Sequence, residues 1–225
     1  MSIRVQRFPS APPSAALAAR AAAIVLALLV AGIILAGTGA SPLKLAGQVI
    51  KATFGSSFGL EDVGLLVTPL ILTGLSVAVA QRIGAWNIGG EGQFYAGAFA
   101  ATGVALFIPG PSVVMLPLMF VAGAIGGALW ILIPTLARAY ADVNELITTL
   151  LLNFVATLLV YWVATGPWLD PGGQALATTA RLPHDIPEFW GIVHWGFPLA
   201  VVITILVAAV LAFTRWGYEV RIAGS

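Results

Sequence analysis

Long apolar runs separated by short polar segments dominate the chain. Most of these runs have the length that a helix needs to cross the hydrocarbon core of a membrane, roughly 20 residues. We predict six membrane-spanning helices, namely Ala15–Gly37, Val63–Ala80, Phe94–Ile108, Val113–Ala137, Leu146–Thr165 and Trp195–Phe213. The third spans a bilayer only if it includes residues of the polar segment before it. The pattern therefore predicts an all-α fold, a polytopic membrane helical bundle.

The segments outside these runs predict how the chain is organised around the bundle. Met1–Ser14 is polar and proline-bearing and is predicted to be a cytoplasmic tail, followed by one transmembrane domain over residues 15–225. Thr38–Asp62 is predicted to be a mixed loop, Gly166–His194 a long proline-rich loop, and Thr214–Ser225 a short polar tail.

One polar segment, Trp86–Gln93, interrupts the apolar pattern between the second and third predicted spans. In hydrocarbon an unpaired backbone amide or a lone carboxylate is costly, so such a segment must be buried in protein or line a wet cavity. Its glycines let the backbone turn. One interpretation is a broken or re-entrant element beside a transport path, with Asn87, Glu91 and Gln93 as residues of that path. The other is a glycine-rich surface turn whose Glu91 points at water.

Polar and small residues within the later spans indicate contacts between helices. Asn144 is predicted to cap the fifth span, and Glu145 to favour the positive end of that helix. Asn153 lies deeper in the same span, where we expect it to face a cavity or to hydrogen-bond across helices, and it is a weaker candidate for the path. Gly123 and Gly127 in the fourth span have a spacing that favours close helix packing.

The composition supports a membrane protein and excludes several other classes. Sixty per cent of the residues are hydrophobic and 8% are charged, whereas soluble domains carry about 25% charged residues. A net charge of +1 without a long basic run predicts no nucleic-acid partner. The chain has no cysteine, which excludes disulfides and thiolate chemistry. It also has no glycine-rich phosphate-binding motif ending in lysine, so any nucleotide hydrolysis must come from a partner.

The residues do not form a recognisable catalytic or metal site. Ser76 lies in a segment that lacks the final glycine of a nucleophile elbow. His184 and His194 both lie in the proline-rich loop, where Pro183 and Pro187 prevent one helix from presenting a set of zinc ligands. We therefore predict that the protein is not an enzyme and holds no metal or cofactor.

Basic residues indicate the orientation of the chain in the membrane. With a cytoplasmic amino terminus, seven of the 10 basic residues lie inside, and only Lys44, Lys51 and Arg181 lie outside. This arrangement follows the positive-inside bias, and the inverted arrangement violates it.

Four blocks, in order, resemble the permease subunits of ATP-binding-cassette importers for nucleosides and simple sugars, in the branched-chain amino acid and ribose type of permease. The blocks are Thr68–Ala78, Trp86–Gln93, Val143–Asn153 and Arg215–Arg221. The resemblance implies two permeases, here a heterodimer, around a central path in the bacterial inner membrane. It also implies separate ATPase subunits on the cytoplasmic side and an external solute-binding protein. Members of the family continue past the last block into a coupling helix and further spans, so we expect this sequence to be a fragment or a truncated product.

The leading hypothesis from the sequence is a multi-pass permease subunit that carries nucleosides or simple sugars. A ribose or branched-chain amino acid permease is the alternative within the same class. A membrane assembly subunit without a solute path is the alternative from another class, because glycine-rich packing alone is compatible with it.

Overall fold

The computed structural model of the protein describes residues 13–172 and 178–224. The predicted cytoplasmic tail, Met1–Ser14, lies almost wholly outside the described residues. The chain divides into two compact units, Met1–Leu60 and Glu61–Ser225. Each unit is considered by itself below.

Helices account for most of the described chain, and their bounds follow the apolar runs. The elements in order are α1 (Pro13–Gly37), α2 (Pro42–Phe54), α3 (Ser57–Arg82), α4 (Gly90–Phe107), α5 (Ser112–Ala141), α6 (Glu145–Thr165), β1 (Glu188–Trp190), β2 (Val193–His194), α7 (Gly196–Phe213) and α8 (Arg215–Ala223). Five of the described helices, α1, α3, α5, α6 and α7, are long and apolar enough to cross a membrane. The predicted all-α membrane bundle is therefore confirmed.

The third predicted span is α4, which differs from the other five. It begins at Gly90 rather than Phe94, so it takes its first turn from the polar segment before it. Its 18 residues extend about 27 Å at 1.5 Å per residue, close to the thickness of the hydrocarbon core. Glu91 and Gln93 in that first turn lower the hydropathy of α4, which is not among the five helices above.

The first unit contains a helix where the sequence predicted a loop. Ser41 accepts a hydrogen bond from the backbone N–H of Lys44 at 3.4 Å, and Pro42 occupies the first position of α2. A serine cap followed by proline is a favoured way to begin a helix. The prediction of a mixed loop over Thr38–Asp62 was therefore wrong, because this local signal outweighed the polar character of the segment.

The second unit is held together by close packing of α4 against α5. A Cβ added to Gly97 would lie 2.8 Å from the carbonyl oxygen of Gly123, and one added to Gly126 would lie 2.8 Å from that of Ala96. The two backbones therefore approach at positions where only glycine leaves room. A Cβ added to Gly127 would likewise lie 3.2 Å from the carbonyl oxygen of Gln93, which confirms the predicted close packing.

Helices α3 and α7 run in the same direction and are linked at both ends. Near the start of α3, the Glu61 carboxylate accepts a hydrogen bond from the N–H of Ile192 at 3.3 Å, in the turn of the short β1–β2 hairpin that precedes α7. At the other end, Gly224 follows α8 and packs directly against the carbonyl group of Arg82. Between these two links, α3 and α7 are separated by a groove.

The predicted polar tail also contains a helix. Thr214 caps α8 by accepting a hydrogen bond from the N–H of Gly217 at 3.2 Å. Gly217 and Val220 are buried, so one side of α8 lies against the bundle. The predicted polar tail is therefore helical over Arg215–Ala223, because a threonine cap and a small residue permit a short further helix.

Candidate functional site

The helical backbone stops between α3 and α4. Helix α3 ends at Arg82 and α4 begins at Gly90, which leaves residues 83–89 without regular structure. Gly84 has a φ of 72°, a left-handed conformation that residues other than glycine rarely adopt. The interruption predicted around Trp86–Gln93 is therefore present, as a non-helical stretch followed by the first turn of α4.

One face of α6 provides polar partners for this interruption. Glu145, Thr149 and Asn153, the α6 polar stripe, are spaced four residues apart, which places them on one face of the helix. The Glu145 carboxylate accepts a hydrogen bond from the N–H of Trp86, and the Thr149 hydroxyl accepts one from the N–H of Ile88, both at 3.3 Å. Backbone groups that the missing helix leaves unpaired thus find partners on α6.

Asn153 makes the two shortest hydrogen bonds between the stripe and the interruption. Its Nδ2 donates to the carbonyl of Ile88 at 2.9 Å, and its Oδ1 accepts from the N–H of Gly92 at 2.8 Å. A Cβ at Gly92 would lie 2.9 Å from that Oδ1 and 3.0 Å from the indole nitrogen of Trp130. Gly92 is therefore enclosed between the side chains of Asn153 and Trp130, and this packing leaves room only for glycine.

An ion pair stabilises the end of the stripe that lies at the start of α6. Arg138, in the last turn of α5, pairs with Glu145 in the first turn of α6. Asn144 caps α6 through its Oδ1, which accepts from the N–H of Leu146 at 2.9 Å. The predicted cap is confirmed. Glu145 does more than was predicted, because it contacts both Arg138 and the backbone of Trp86.

Within the interruption, Asn87 shapes the turn. Its Oδ1 accepts from the N–H of Gly89 at 2.9 Å, and its Nδ2 donates to the Oε1 of Gln93 at 3.3 Å. Asn87 is 8% exposed, Gln93 is half-buried, and Glu91 is exposed. Two of the predicted path residues thus contact each other, while the third points away from the protein interior of this chain.

The interruption lies alongside a substantial length of α6. Glu145 and Asn153 are eight residues apart, which corresponds to about 12 Å of helix. The segment therefore runs alongside α6 from its first turn into the bundle, as a broken element does. The exposed carboxylate of Glu91 is the feature that the surface-turn interpretation predicted.

The spacing of polar residues in α6 indicated a polar partner for this helix, but Asn144 and Glu145 were interpreted from the sequence only as residues that stabilise the start of the helix. Glu145 and Thr149 were not predicted as partners of the interruption. Their spacing with Asn153 puts three polar residues on one face of a largely apolar helix. In a membrane helix, such a face indicates a polar partner. Arg138 gives no comparable signal, because its pairing with Glu145 depends on how α5 turns into α6.

Proteins similar to this chain are named as membrane permeases. The glucose ABC transporter permease protein TsgB13 of Haloferax volcanii is 38% identical over 216 residues, which cover 90% of this chain and 57% of that protein. The guanosine ABC transporter permease protein NupP of Bacillus subtilis is 29% identical over 208 residues, covering 90% of this chain and 60% of that protein. The nucleoside ABC transporter permease protein NupB of Lactococcus lactis is 27% identical over 214 residues, covering 90% and 59%.

The chain therefore spans less than two thirds of the length of each of these relatives. No solved structure gives a significant match. The model of one protein family, described as the permease component of the branched-chain amino acid transport system, matches residues 59–225. Because that match covers most of the chain and includes the interruption and the α6 polar stripe, the chain belongs to this family of membrane permease components.

Proposed function

We propose that this chain is a permease subunit of an ABC importer that moves nucleosides or simple sugars across the inner membrane. The observation that carries the proposal is the interruption between α3 and α4, which the α6 polar stripe holds within an otherwise apolar bundle. Polar backbone at membrane depth is tolerated where it is enclosed by protein or lines a cavity. The relatives named for glucose, guanosine and nucleosides support the choice of solute.

The proposed partners follow from what the chain lacks and from its family. ATPase subunits would provide ATP hydrolysis, since the sequence has no phosphate-binding motif. A second, different permease subunit would complete the path, and an external solute-binding protein would deliver the solute. In the second unit, Arg82, Arg138 and Arg221 lie at the ends of helices that share one side of the membrane. We assign that side, and the amino terminus, to the cytoplasm.

The four predicted path residues would have two different roles. Asn87 and Asn153 direct their hydrogen bonds at the backbone of the interruption, so they would hold the segment in place. Glu91 is exposed in this chain and Gln93 is half-buried. Their side chains would contact the solute, because a carboxylate and a carboxamide accept hydrogen bonds from sugar hydroxyls.

The test is uptake by the complete transporter reconstituted in proteoliposomes. Labelled guanosine, glucose, ribose and leucine are supplied outside together with the solute-binding protein, and ATP is supplied to the ATPase side. We expect uptake of guanosine or glucose. We also expect Glu91→Gln to lower uptake about tenfold or more, because hydrogen bonds to a charged group contribute roughly 1.5–3 kcal/mol.

The matched control is Asp62→Asn, which removes an exposed carboxylate near the start of α3, at the opposite end of the second unit. Uptake should be close to that of the unmodified protein. Transport of leucine alone would overturn the proposed solute class. Equal uptake by Glu91→Gln and Asp62→Asn would remove Glu91 from the path.

A further inference from the structure

A second polar feature lies away from the interruption, in the groove between α3 and α7. The groove encloses a cleft of about 240 Å³, which is open on one side. Its ends are closed by the contact between Glu61 and Ile192 and by the contact between Arg82 and Gly224. The cleft lies nearer the second of these contacts, since it is lined by the last two turns of α3 and the second half of α7.

The walls of the cleft are apolar. Leu75 and Val79 line it from α3, and Val207 and Leu211 line it from α7. Thr204 also faces the cleft, but its hydroxyl donates to the carbonyl of Ala200 within its own helix at 2.8 Å. Small side chains on α7, of which Ala208 is one, keep the space open. The interior of the cleft is therefore suited to hydrocarbon.

Two arginines line the same cleft. Arg82 is the last residue of α3, and Arg221 is in the last turn of α8. In the part of the chain that the structure describes, the cleft has no acidic lining residue, and neither guanidinium forms an ion pair. Both residues are exposed, and a phosphate group accepts hydrogen bonds from guanidinium groups in a geometry that matches their N–H donors.

We propose that this cleft binds one anionic phospholipid. The phosphate group lies between Arg82 and Arg221, and an acyl chain extends along the apolar walls toward Leu75. A phospholipid fits both halves of the site, whereas a soluble phosphate would use the arginines and leave the apolar walls in water. The position is also that of a lipid headgroup, because Arg82 ends a membrane-spanning helix and α8 follows directly after another.

The test uses the full chain, purified in detergent and titrated with phosphatidylglycerol or phosphatidylcholine while bound lipid is counted by native mass spectrometry. We expect about 30-fold preference for phosphatidylglycerol, from two basic residues near one phosphate group. The double variant Arg82→Gln, Arg221→Gln should lose this preference. Arg215→Gln is the matched control, since Arg215 begins α8 but does not line the cleft, and the preference should remain.

Two further measurements separate a lipid from a free anion and from a folding defect. Ala208→Phe fills the cleft and keeps both arginines, so it should abolish binding of phosphatidylglycerol. Glycerol phosphate, which has no acyl chain, should not displace the bound lipid. Equal binding of the two lipids, unchanged binding by Ala208→Phe, or displacement by glycerol phosphate would each overturn the proposal. If the double variant fails to fold, Ala208→Phe and two single variants of Arg82 decide. Arg82→Lys should retain binding of phosphatidylglycerol, whereas Arg82→Gln and Ala208→Phe should lose it.

Discussion

Replacing Asn153 by leucine is the sharpest way to test whether α6 holds the interruption in place. Leucine has the same number and branching of side-chain heavy atoms, so the change leaves no cavity, although its methyl groups need more room than the amide atoms that they replace. It removes the donor to the Ile88 carbonyl and the acceptor for the Gly92 N–H, which lie 2.9 Å and 2.8 Å from the side chain. Both backbone groups then remain in the interior without these partners.

The expected loss is set by the cost of the two unpaired groups. Hydrogen bonds between membrane helices contribute about 0.6 kcal/mol each on average. An acceptor or donor left buried without a partner costs roughly 1–3 kcal/mol. Asn153 is 8% exposed, so water reaches the site poorly and the larger cost applies. For two such groups we expect the free energy of unfolding to fall by about 2–6 kcal/mol.

The assay combines two measurements on the full chain in detergent. Unfolding by sodium dodecyl sulfate gives the change in the free energy of unfolding. Hydrogen–deuterium exchange, followed by mass spectrometry, gives the protection of the peptide that covers residues 86–93. Thr157→Val is the matched control, because Thr157 lies one turn further along α6 and its hydroxyl donates to a carbonyl of its own helix at 3.0 Å.

The two variants should behave differently. Asn153→Leu should unfold more easily and exchange faster in residues 86–93, whereas Thr157→Val should change the free energy of unfolding by less than about 1 kcal/mol. Equal losses for the two variants, or unchanged exchange in Asn153→Leu, would refute the conclusion that the stripe holds the interruption.

Two further predictions concern packing and the ion pair. Gly97→Ala should lower the free energy of unfolding by about 1–3 kcal/mol, because its Cβ would lie 2.8 Å from the Gly123 carbonyl oxygen. Gly74→Ala, which meets nothing within 4 Å, should cause no loss in the same detergent titration, and equal effects would contradict the close packing. Arg138→Gln should cost no more than about 1 kcal/mol, since the Arg138 side chain is 52% exposed and Glu145 still accepts from the backbone. A loss as large as that of Asn153→Leu would contradict this and would show that the ion pair holds the segment as strongly as Asn153 does.

The sequence predicted the membrane-spanning helices well because each depends on a long local pattern. The apolar runs of α3, α5, α6 and α7 agree with the predicted spans to within several residues at each end. The short helices were missed for the opposite reason. In α2 and α8 the start depends on one capping side chain, Ser41 or Thr214, and not on a run of apolar residues.

The site was predicted in part. Asn87, Gln93 and Asn153 were identified because polar residues are unusual within apolar sequence, and the structure places all three at the interruption. Their partners could not be predicted from local pattern, since the contact between Asn153 and Gly92 joins residues 61 positions apart. Whether these residues line a path stays a prediction.

The stripe on α6 also determines which parts of the protein change position together. Trp86, Ile88 and Gly92 all form hydrogen bonds with the same helix, so the seven-residue linker between α3 and α4 has little freedom of its own. We expect it to travel with α6 as one rigid body, with bending concentrated at Gly84, where the backbone is already left-handed. Because the chain has no cysteine, spin labels can be attached to cysteines substituted for Ile88 and Leu150. We expect a constant separation between the two labels while the proposed transporter hydrolyses ATP. A changing separation would show that the linker slides along the helix.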